Sequence, residues 1–175
     1  MFPLNRKKPP DHRHLYDDHA PALFAFLLNV TRSEADTRDA LQELFLKLAT
    51  CPALLDGVLA PRAFLLRLAH RLAIDSHRRR ATRAHAIERA AAEPPALFAP
   101  TADPDAHSFR EALAAALGEL PEEQRAVVHL KLWEQMTFAE IAAALGIPAN
   151  TAASRYRYAT DKLQALLRPI YDELQ

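Results

Sequence analysis

Four prolines between positions 94 and 104 divide this chain, and they constrain its fold more than any other feature. They interrupt an Ala- and Pro-rich stretch, residues 84–107, in which regular structure cannot propagate because proline lacks a backbone N–H and fixes φ. A single compact domain rarely contains so long a connection without regular structure. The sequence therefore predicts two domains joined by a semi-rigid linker.

Both parts of the chain carry apolar residues at helical spacing. Leu41, Leu44 and Leu48 lie on one side of a helix predicted from about residue 35 to residue 49, and Ser33 with Asp36 is a helix-start signal. Half of the 175 residues are apolar, and only 3 are glycine, which favours helices over sheet. We predict an all-α fold of two small helical domains, residues 11–83 and 108–170, joined by a Pro/Ala-rich linker, residues 84–107.

Residues 61–80, PRAFLLRLAHRLAIDSHRRR, predict a helix with one apolar and one cationic face. The whole chain has a formal charge of zero, yet eight arginines and only two acids lie between Arg62 and Arg89. Solvated charge on an ordinary helix is the simpler interpretation, and a surface for phosphate groups is the functional one.

A helix-turn-helix is predicted at residues 137–155, TFAEIAAALGIPANTAASR. Thr137 and Glu140 can form a capping box, Gly146 permits the tight turn, and Pro148 can start the second helix. A helical hairpin in a bundle would show much of this pattern. Hydroxyl and guanidinium groups at the start of the second helix favour DNA binding, because such groups contact base edges and phosphates.

On these motifs the chain resembles the extracytoplasmic-function (ECF) sigma factors of bacterial RNA polymerase. DALQELFLKLA, residues 39–49, is similar to their polymerase-binding helix, residues 61–80 to their promoter-melting helix, and residues 116–167 to their C-terminal domain. Phe64 stands where the family usually has tryptophan, Ala152 and Ala153 replace valine and lysine, and Pro148 replaces a serine.

The resemblance implies an alternative sigma factor that binds core polymerase and directs initiation at specific promoters. The implied partners are core RNA polymerase, promoter DNA and, commonly in this family, an anti-sigma factor. No catalytic residue, metal or cofactor is implied. The residues matched to polymerase binding are Asp39, Gln42 and Glu43. Those matched to minus-ten recognition and melting, beside the loop at residues 54–60, are Arg62, Arg67, His70, Arg71, Arg78, Arg79 and Arg80. Those matched to minus-thirty-five recognition are Thr151, Ala153, Ser154, Arg155, Arg157 and Tyr158.

Other interpretations are weaker. A stand-alone helix-turn-helix regulator would not need the helices at residues 39–49 and 61–80, and an enzyme acting on nucleic acid should show a metal-binding or nucleophilic cluster. The eight histidines show no zinc-site spacing. Cys51 and Trp133 are predicted to be core residues.

Because the chain lacks a signal-peptide core and a run of about 20 apolar residues, we expect a soluble, cytoplasmic protein.

Overall fold

The computed structural model describes residues 12–84, 97–98, 101 and 103–173, and every regular element in these ranges is helical. A short 3₁₀ turn, Pro52–Leu55, precedes the third α-helix. The α-helices are α1 (His12–Thr31), α2 (Glu34–Thr50), α3 (Pro61–Ala84), α4 (Pro104–Gly118), α5 (Glu122–Leu132), α6 (Phe138–Leu145) and α7 (Ala149–Glu173). The all-α prediction is confirmed. No described helix is both long and apolar enough to cross a membrane.

Helices α1–α3 pack on one another as the N-terminal helices. The first turn of α2 begins at Ser33, whose hydroxyl accepts a hydrogen bond from the backbone N–H of Asp36 at 3.3 Å, and the carboxylates of Glu34 and Asp36 suit the positive end of the helix dipole. Arg32 ends α1 in the left-handed region, with φ of 57°. The short turn between the helices keeps α1 and α2 antiparallel neighbours.

Helices α4–α7, the C-terminal helices, contain the predicted helix-turn-helix in α6 and α7. The capping box is present: Thr137 Oγ1 accepts from the backbone N–H of Glu140, and Glu140 Oε2 accepts from the backbone N–H of Thr137 at 2.8 Å. Gly146 takes the left-handed conformation, with φ of 67°, that ends α6. These local signals position the start of α7 at Ala149.

The N-terminal and C-terminal helices are packed against each other, which the sequence did not predict. Helix α5 contacts α1, and α6 contacts α3. Val127 belongs to a core that also contains Phe26 and Leu65, whereas its neighbour Val128 belongs to a second core with Leu117 and other residues of α4 and α7. Helix α5 therefore contributes to both cores, through adjacent residues that lie about 100° apart around its axis.

The linker prediction lies mostly outside the described residues. At its C-terminal end, α4 begins at Pro104, because proline is well tolerated in the first turn of a helix. The division into residues 11–83, 84–107 and 108–170 stays a prediction.

Candidate nucleic-acid interface

The exposed face of α3 carries the cationic groups that the sequence predicted. Arg67, Arg71 and Arg78 are exposed, while Leu65 and Leu72 are buried on the opposite face. The Arg67 guanidinium lies 5.3 Å from the ring centroid of Phe64, so the aromatic ring and the cation form one surface. The side chains of Arg79 and Arg80 lie outside the described residues.

Arg62 and His70 differ from the other predicted contacts because both lie close to charged groups of the C-terminal part of the chain. Arg62 Nε donates to Glu134 Oε2 at 2.6 Å, and the Glu134 side chain is only 4% exposed. Burial lowers the pKa of His70, and the nearby Arg155 guanidinium lowers it further. The structure therefore brings one end of α7 close to the cationic face of α3.

A recess borders the start of α3 at the loop of residues 56–60. Its volume is about 400 Å³, and its wall is completed by Phe64 of α3 and Ala143 of α6. Leu59 at its rim is fully exposed. A recess lined by apolar side chains together with Asp56, Arg67 and Glu140 can receive an unstacked base.

The predicted contact residues of α7 differ in accessibility. Arg157 and Tyr158 are exposed, and the Arg157 guanidinium lies 5.1 Å from the Tyr158 ring centroid. Thr151, Ala153, Ser154 and Arg155 are only partly exposed. The Ser154 hydroxyl donates to the Thr151 carbonyl at 3.0 Å. Because its proton is used in this bond, the hydroxyl oxygen can act toward DNA only as a hydrogen-bond acceptor.

A groove of about 580 Å³ separates the cationic face of α3 from α6. Arg67, Arg71 and Arg78 line one side, and residues 144–146 line the other. The cationic face of α3 therefore borders a space that it shares with Glu123 of α5 and with the end of α6.

The predicted polymerase-binding residues form a separate surface. Asp39, Gln42 and Glu43 are exposed on α2, and Leu46, one turn further, is 61% exposed. Sequence reasoning missed Leu46, although an apolar residue two positions before the buried Leu48 falls on the outer face of a helix.

Two lesser predictions are wrong, and one group of residues was missed. Cys51 is exposed, and Trp133 is 41% exposed with its ring stacked on His129 at 5.2 Å. Both residues lie at helix ends, where apolar spacing no longer determines burial. The missed residues are polar side chains between the two groups of helices: Asn29, His129 and Glu134, whose side chains are buried, and Arg125, which is partly buried. Among the described residues, no group of three or more His, Cys, Asp or Glu is placed to hold a metal ion.

Comparisons with known proteins give this architecture a class. Residues 15–83 match the family model "Sigma-70 region 2", and residues 110–163 match "Sigma-70, region 4". The matched segments contain α3 and the helix-turn-helix, respectively. This order of regions defines a sigma-70 type transcription factor.

Full-length relatives identify the group within that class. The ECF RNA polymerase sigma factor SigL of Mycobacterium tuberculosis is 31% identical over 159 residues, which are 90% of this chain and 89% of SigL. The ECF RNA polymerase sigma factor RpoE of Cereibacter sphaeroides is 37% identical over 79 residues, which are 41% of this chain and 44% of that relative. The chain belongs to the ECF sigma factors, which bind core RNA polymerase and direct it to promoters.

Two solved structures share the fold. RpoE of Bartonella quintana, crystallised with the anti-sigma factor NepR, superposes with a TM-score of 0.71 at 21% identity, covering 89% of this chain and 96% of RpoE. CnrH in complex with the cytosolic domain of CnrY has a TM-score of 0.61 at 25% identity, covering 90% of this chain and 88% of CnrH.

Proposed function

We propose that this chain divides the work of a sigma factor among three surfaces. Helix α2 docks on core polymerase, the cationic face of α3 holds the minus-ten region as it opens, and the start of α7 reads the minus-thirty-five region. The observation that carries this proposal is the exposed acidic and amide face of α2 on the same chain as two cationic faces. A protein that only bound DNA would not need the α2 surface.

The docking surface on α2 consists of Asp39, Gln42 and Glu43 around the exposed Leu46. Carboxylates complement a basic partner and fix its register, whereas the exposed leucine supplies apolar area that becomes buried on binding. Helix α2 packs on α1 and α3 through its opposite face, so docking needs no change in its core contacts.

The melting surface consists of α3 and the recess beside it. Arg67, Arg71 and Arg78 are spaced to follow a sugar-phosphate backbone, and Phe64 offers a ring for stacking. The remaining predicted contacts of this surface are Arg62, His70, Arg79 and Arg80. An extruded base would lie against Phe64 and the loop of residues 56–60, the part of the recess that belongs to the N-terminal helices, while the arginines neutralise its backbone.

The duplex-reading surface is the N-terminal half of α7. Arg157 and Tyr158 are exposed, and Arg155 and Thr151 are partly exposed. Guanidinium groups can contact phosphates or the acceptor atoms of guanine. The small side chains of Ala153 and Ser154 let the backbone of α7 approach the major groove of the DNA closely.

The two regions work as separate domains joined by residues 84–107 in this proposal. The chain catalyses no reaction of its own, because polymerase supplies nucleotide transfer, and it acts in the cytoplasm, where polymerase is. The resemblance to RpoE of Bartonella quintana, which was solved with the anti-sigma factor NepR, supports regulation by such a protein.

Run-off transcription tests the proposed function. Purified core polymerase is given a library of genomic fragments with and without this protein. We expect transcripts that start at a shared two-block promoter only when the protein is present. If no new transcript appears with a folded protein and an active core, a pull-down with core polymerase decides the matter: absence of binding would favour a stand-alone helix-turn-helix regulator.

Replacing Arg155 or Arg157 by alanine should weaken promoter binding by the holoenzyme and reduce its salt dependence. Each lost phosphate contact lowers the slope of log K against log salt by about 0.9. The measurement is fluorescence anisotropy of a labelled minus-thirty-five duplex over a range of salt concentrations. The exposed Arg38, changed to alanine, is the control and should leave the slope unchanged. Unaltered slopes in both α7 variants would place the reading surface elsewhere.

A further inference from the structure

We propose that Asp56 selects the base that is extruded into the recess beside α3, and that this base is guanine. Asp56 is the first residue of the loop of residues 56–60, which forms one wall of the recess. The inference rests on the proposed function for the presence of unpaired promoter DNA at this surface. It adds the residue that reads the base and the base that this residue prefers.

The loop that carries Asp56 begins as a hydrogen-bonded turn. Asp56 has φ of −65° and ψ of 123°, and Gly57 has φ of 73°. The backbone N–H of Val58 donates to the Leu55 carbonyl at 3.2 Å. These values are those of a type II turn, whose third residue needs a positive φ and is therefore usually glycine. Leu55 is 5% exposed, so the first residue of the turn is fixed in the core.

The 3₁₀ turn before the loop holds it from the other side. The backbone N–H of Asp56 donates to the Ala53 carbonyl at 3.1 Å, and that of Leu54 donates to the Cys51 carbonyl at 3.0 Å. At the far end of the loop, α3 begins at Pro61, whose ring fixes the backbone. Because both ends are held, the Asp56 side chain needs little ordering when it binds a ligand.

The Asp56 carboxylate is available to a ligand in the recess. Asp56 is exposed, and its side chain makes no hydrogen bond or ion pair with the parts of the chain that the structure describes. It lines the same recess as Phe64, whose ring offers a face for stacking, and Arg67, whose guanidinium suits a phosphate. The recess therefore offers an acceptor to the edge of a base, an aromatic face to its ring and a cation to its backbone.

The chemistry of a carboxylate favours guanine among the four bases, because a carboxylate accepts hydrogen bonds and donates none. An extruded base is read on its Watson–Crick edge. Guanine presents two adjacent donors there, N1–H and the N2 amino group, which match the two oxygens of one carboxylate. Cytosine and adenine each present one amino donor beside an unprotonated ring nitrogen, and thymine presents one N–H between two carbonyls. Only guanine gives the carboxylate two hydrogen bonds without bringing an acceptor against it.

Selection by Asp56 depends on opening of the DNA strands. In a base pair, N1–H and the N2 amino group of guanine are bonded to cytosine, so a carboxylate cannot take both. The major-groove edge of a paired guanine carries only the acceptors N7 and O6, which a carboxylate cannot use. The contact therefore forms after extrusion, and it stabilises the opened promoter without stabilising the closed duplex.

Base substitutions in the minus-ten region test this preference. The promoter found by run-off transcription is changed at each minus-ten position in turn, and transcript formation by holoenzyme containing the full-length chain is measured. We expect one position at which guanine on the strand held by α3 is preferred over each other base by at least about tenfold, as for a bidentate contact. A wild-type protein without a guanine preference at any minus-ten position would overturn the proposal.

Asp56→Asn exchanges one acceptor for a donor at nearly constant shape. An amide pairs with one donor and one acceptor, so it complements cytosine or adenine better than guanine. We expect the preference at that position to move from guanine to cytosine or adenine, whereas the loss of a purely structural residue would lower the rates for all four bases alike. Asp18→Asn makes the same change at an exposed position of α1 and should keep the guanine preference. An Asp56→Asn protein that keeps it too would overturn the proposal.

Modified guanines identify the edge of the base that is read. A labelled single-stranded minus-ten oligonucleotide is titrated with holoenzyme and followed by fluorescence anisotropy, so that strand opening is not needed. Inosine lacks the N2 amino group and should bind about fivefold more weakly than guanine, whereas 7-deazaguanine lacks only the N7 acceptor and should bind equally well. With Asp56→Ala, guanine and inosine should bind alike. Weaker binding of 7-deazaguanine with unchanged binding of inosine would overturn the proposal, because a donor would then read the base.

Failure of the base preference and failure of the proposed function give different results. If holoenzyme with the wild-type chain initiates at specific promoters and shows no guanine preference, selection by Asp56 is wrong and the proposed function stands. If the wild-type chain never supports initiation with an active core polymerase, the proposed function is wrong, and selection by Asp56 is wrong with it.

Discussion

Replacing Gln42 and Glu43 together by lysine should lower the affinity for core RNA polymerase at least about a hundredfold. Both side chains are exposed on the outer face of α2, so the double variant, Gln42→Lys with Glu43→Lys, should keep its helical content. Like charges brought together at an interface cost several kcal/mol, and each 1.4 kcal/mol changes a dissociation constant about tenfold. Fluorescence anisotropy of labelled protein titrated with core polymerase measures the effect.

A matched control is available on the C-terminal helices. Glu119→Lys combined with Gln164→Lys changes the same two residue types, and both positions are exposed. The control has the same net charge as the α2 variant, so any general effect of added charge cancels. Equal affinities for the two proteins, with native circular dichroism, would contradict the docking surface on α2.

The elements of the fold were predictable wherever contacts within one helical turn determine them. The pattern Thr137 to Glu140 places both partners of a capping box three residues apart, and Gly146 supplies a left-handed residue at the end of α6. Such interactions depend on spacing alone. The helix-turn-helix was therefore predicted nearly to the residue.

The packing between the two groups of helices was not predictable, because it depends on partners far apart in sequence. Asn29 and His129 are separated by 100 residues, and His129 lies in an apolar run whose period does not tell which face meets α1. Val127 and Val128 are adjacent and both fully buried, yet they enter different cores. Only the three-dimensional arrangement distinguishes them.

The candidate site shows the same division between local and distant information. The arginines of α3 were predictable from charge and helical spacing, and the acidic face of α2 from amphipathicity. The accessibility of individual side chains was not predictable. Arg155 is only partly exposed and Arg62 pairs with Glu134, and both facts depend on how distant parts of the chain pack together. Charge patterns indicate a surface, and packing determines how much of it is exposed.

Replacing Arg125 by methionine should destabilise the folded protein by about 3 kcal/mol. Its guanidinium donates to the carbonyls of Asn29 and Val30 across the two groups of helices, and to those of Leu120 and Gly118 within the C-terminal helices. Hydrogen bonds from a charged donor contribute about 1.5–3 kcal/mol, and an acceptor left buried without a partner adds to the cost. Methionine fills a similar volume but donates nothing.

Thermal unfolding followed by circular dichroism measures this loss. Because the first core contains residues of both groups of helices, we expect one cooperative transition in the wild type, and a fall in Tm of roughly 6–12 °C in Arg125→Met. Arg125→Lys should recover only part of the loss, because an ammonium lacks the planar fork that serves several carbonyls at once. Arg71→Met makes the same change at an exposed position, where the expected cost is within about 0.5 kcal/mol. A Tm change in Arg125→Met no larger than that of Arg71→Met would mean that Arg125 does not fasten α1 to α5 in solution.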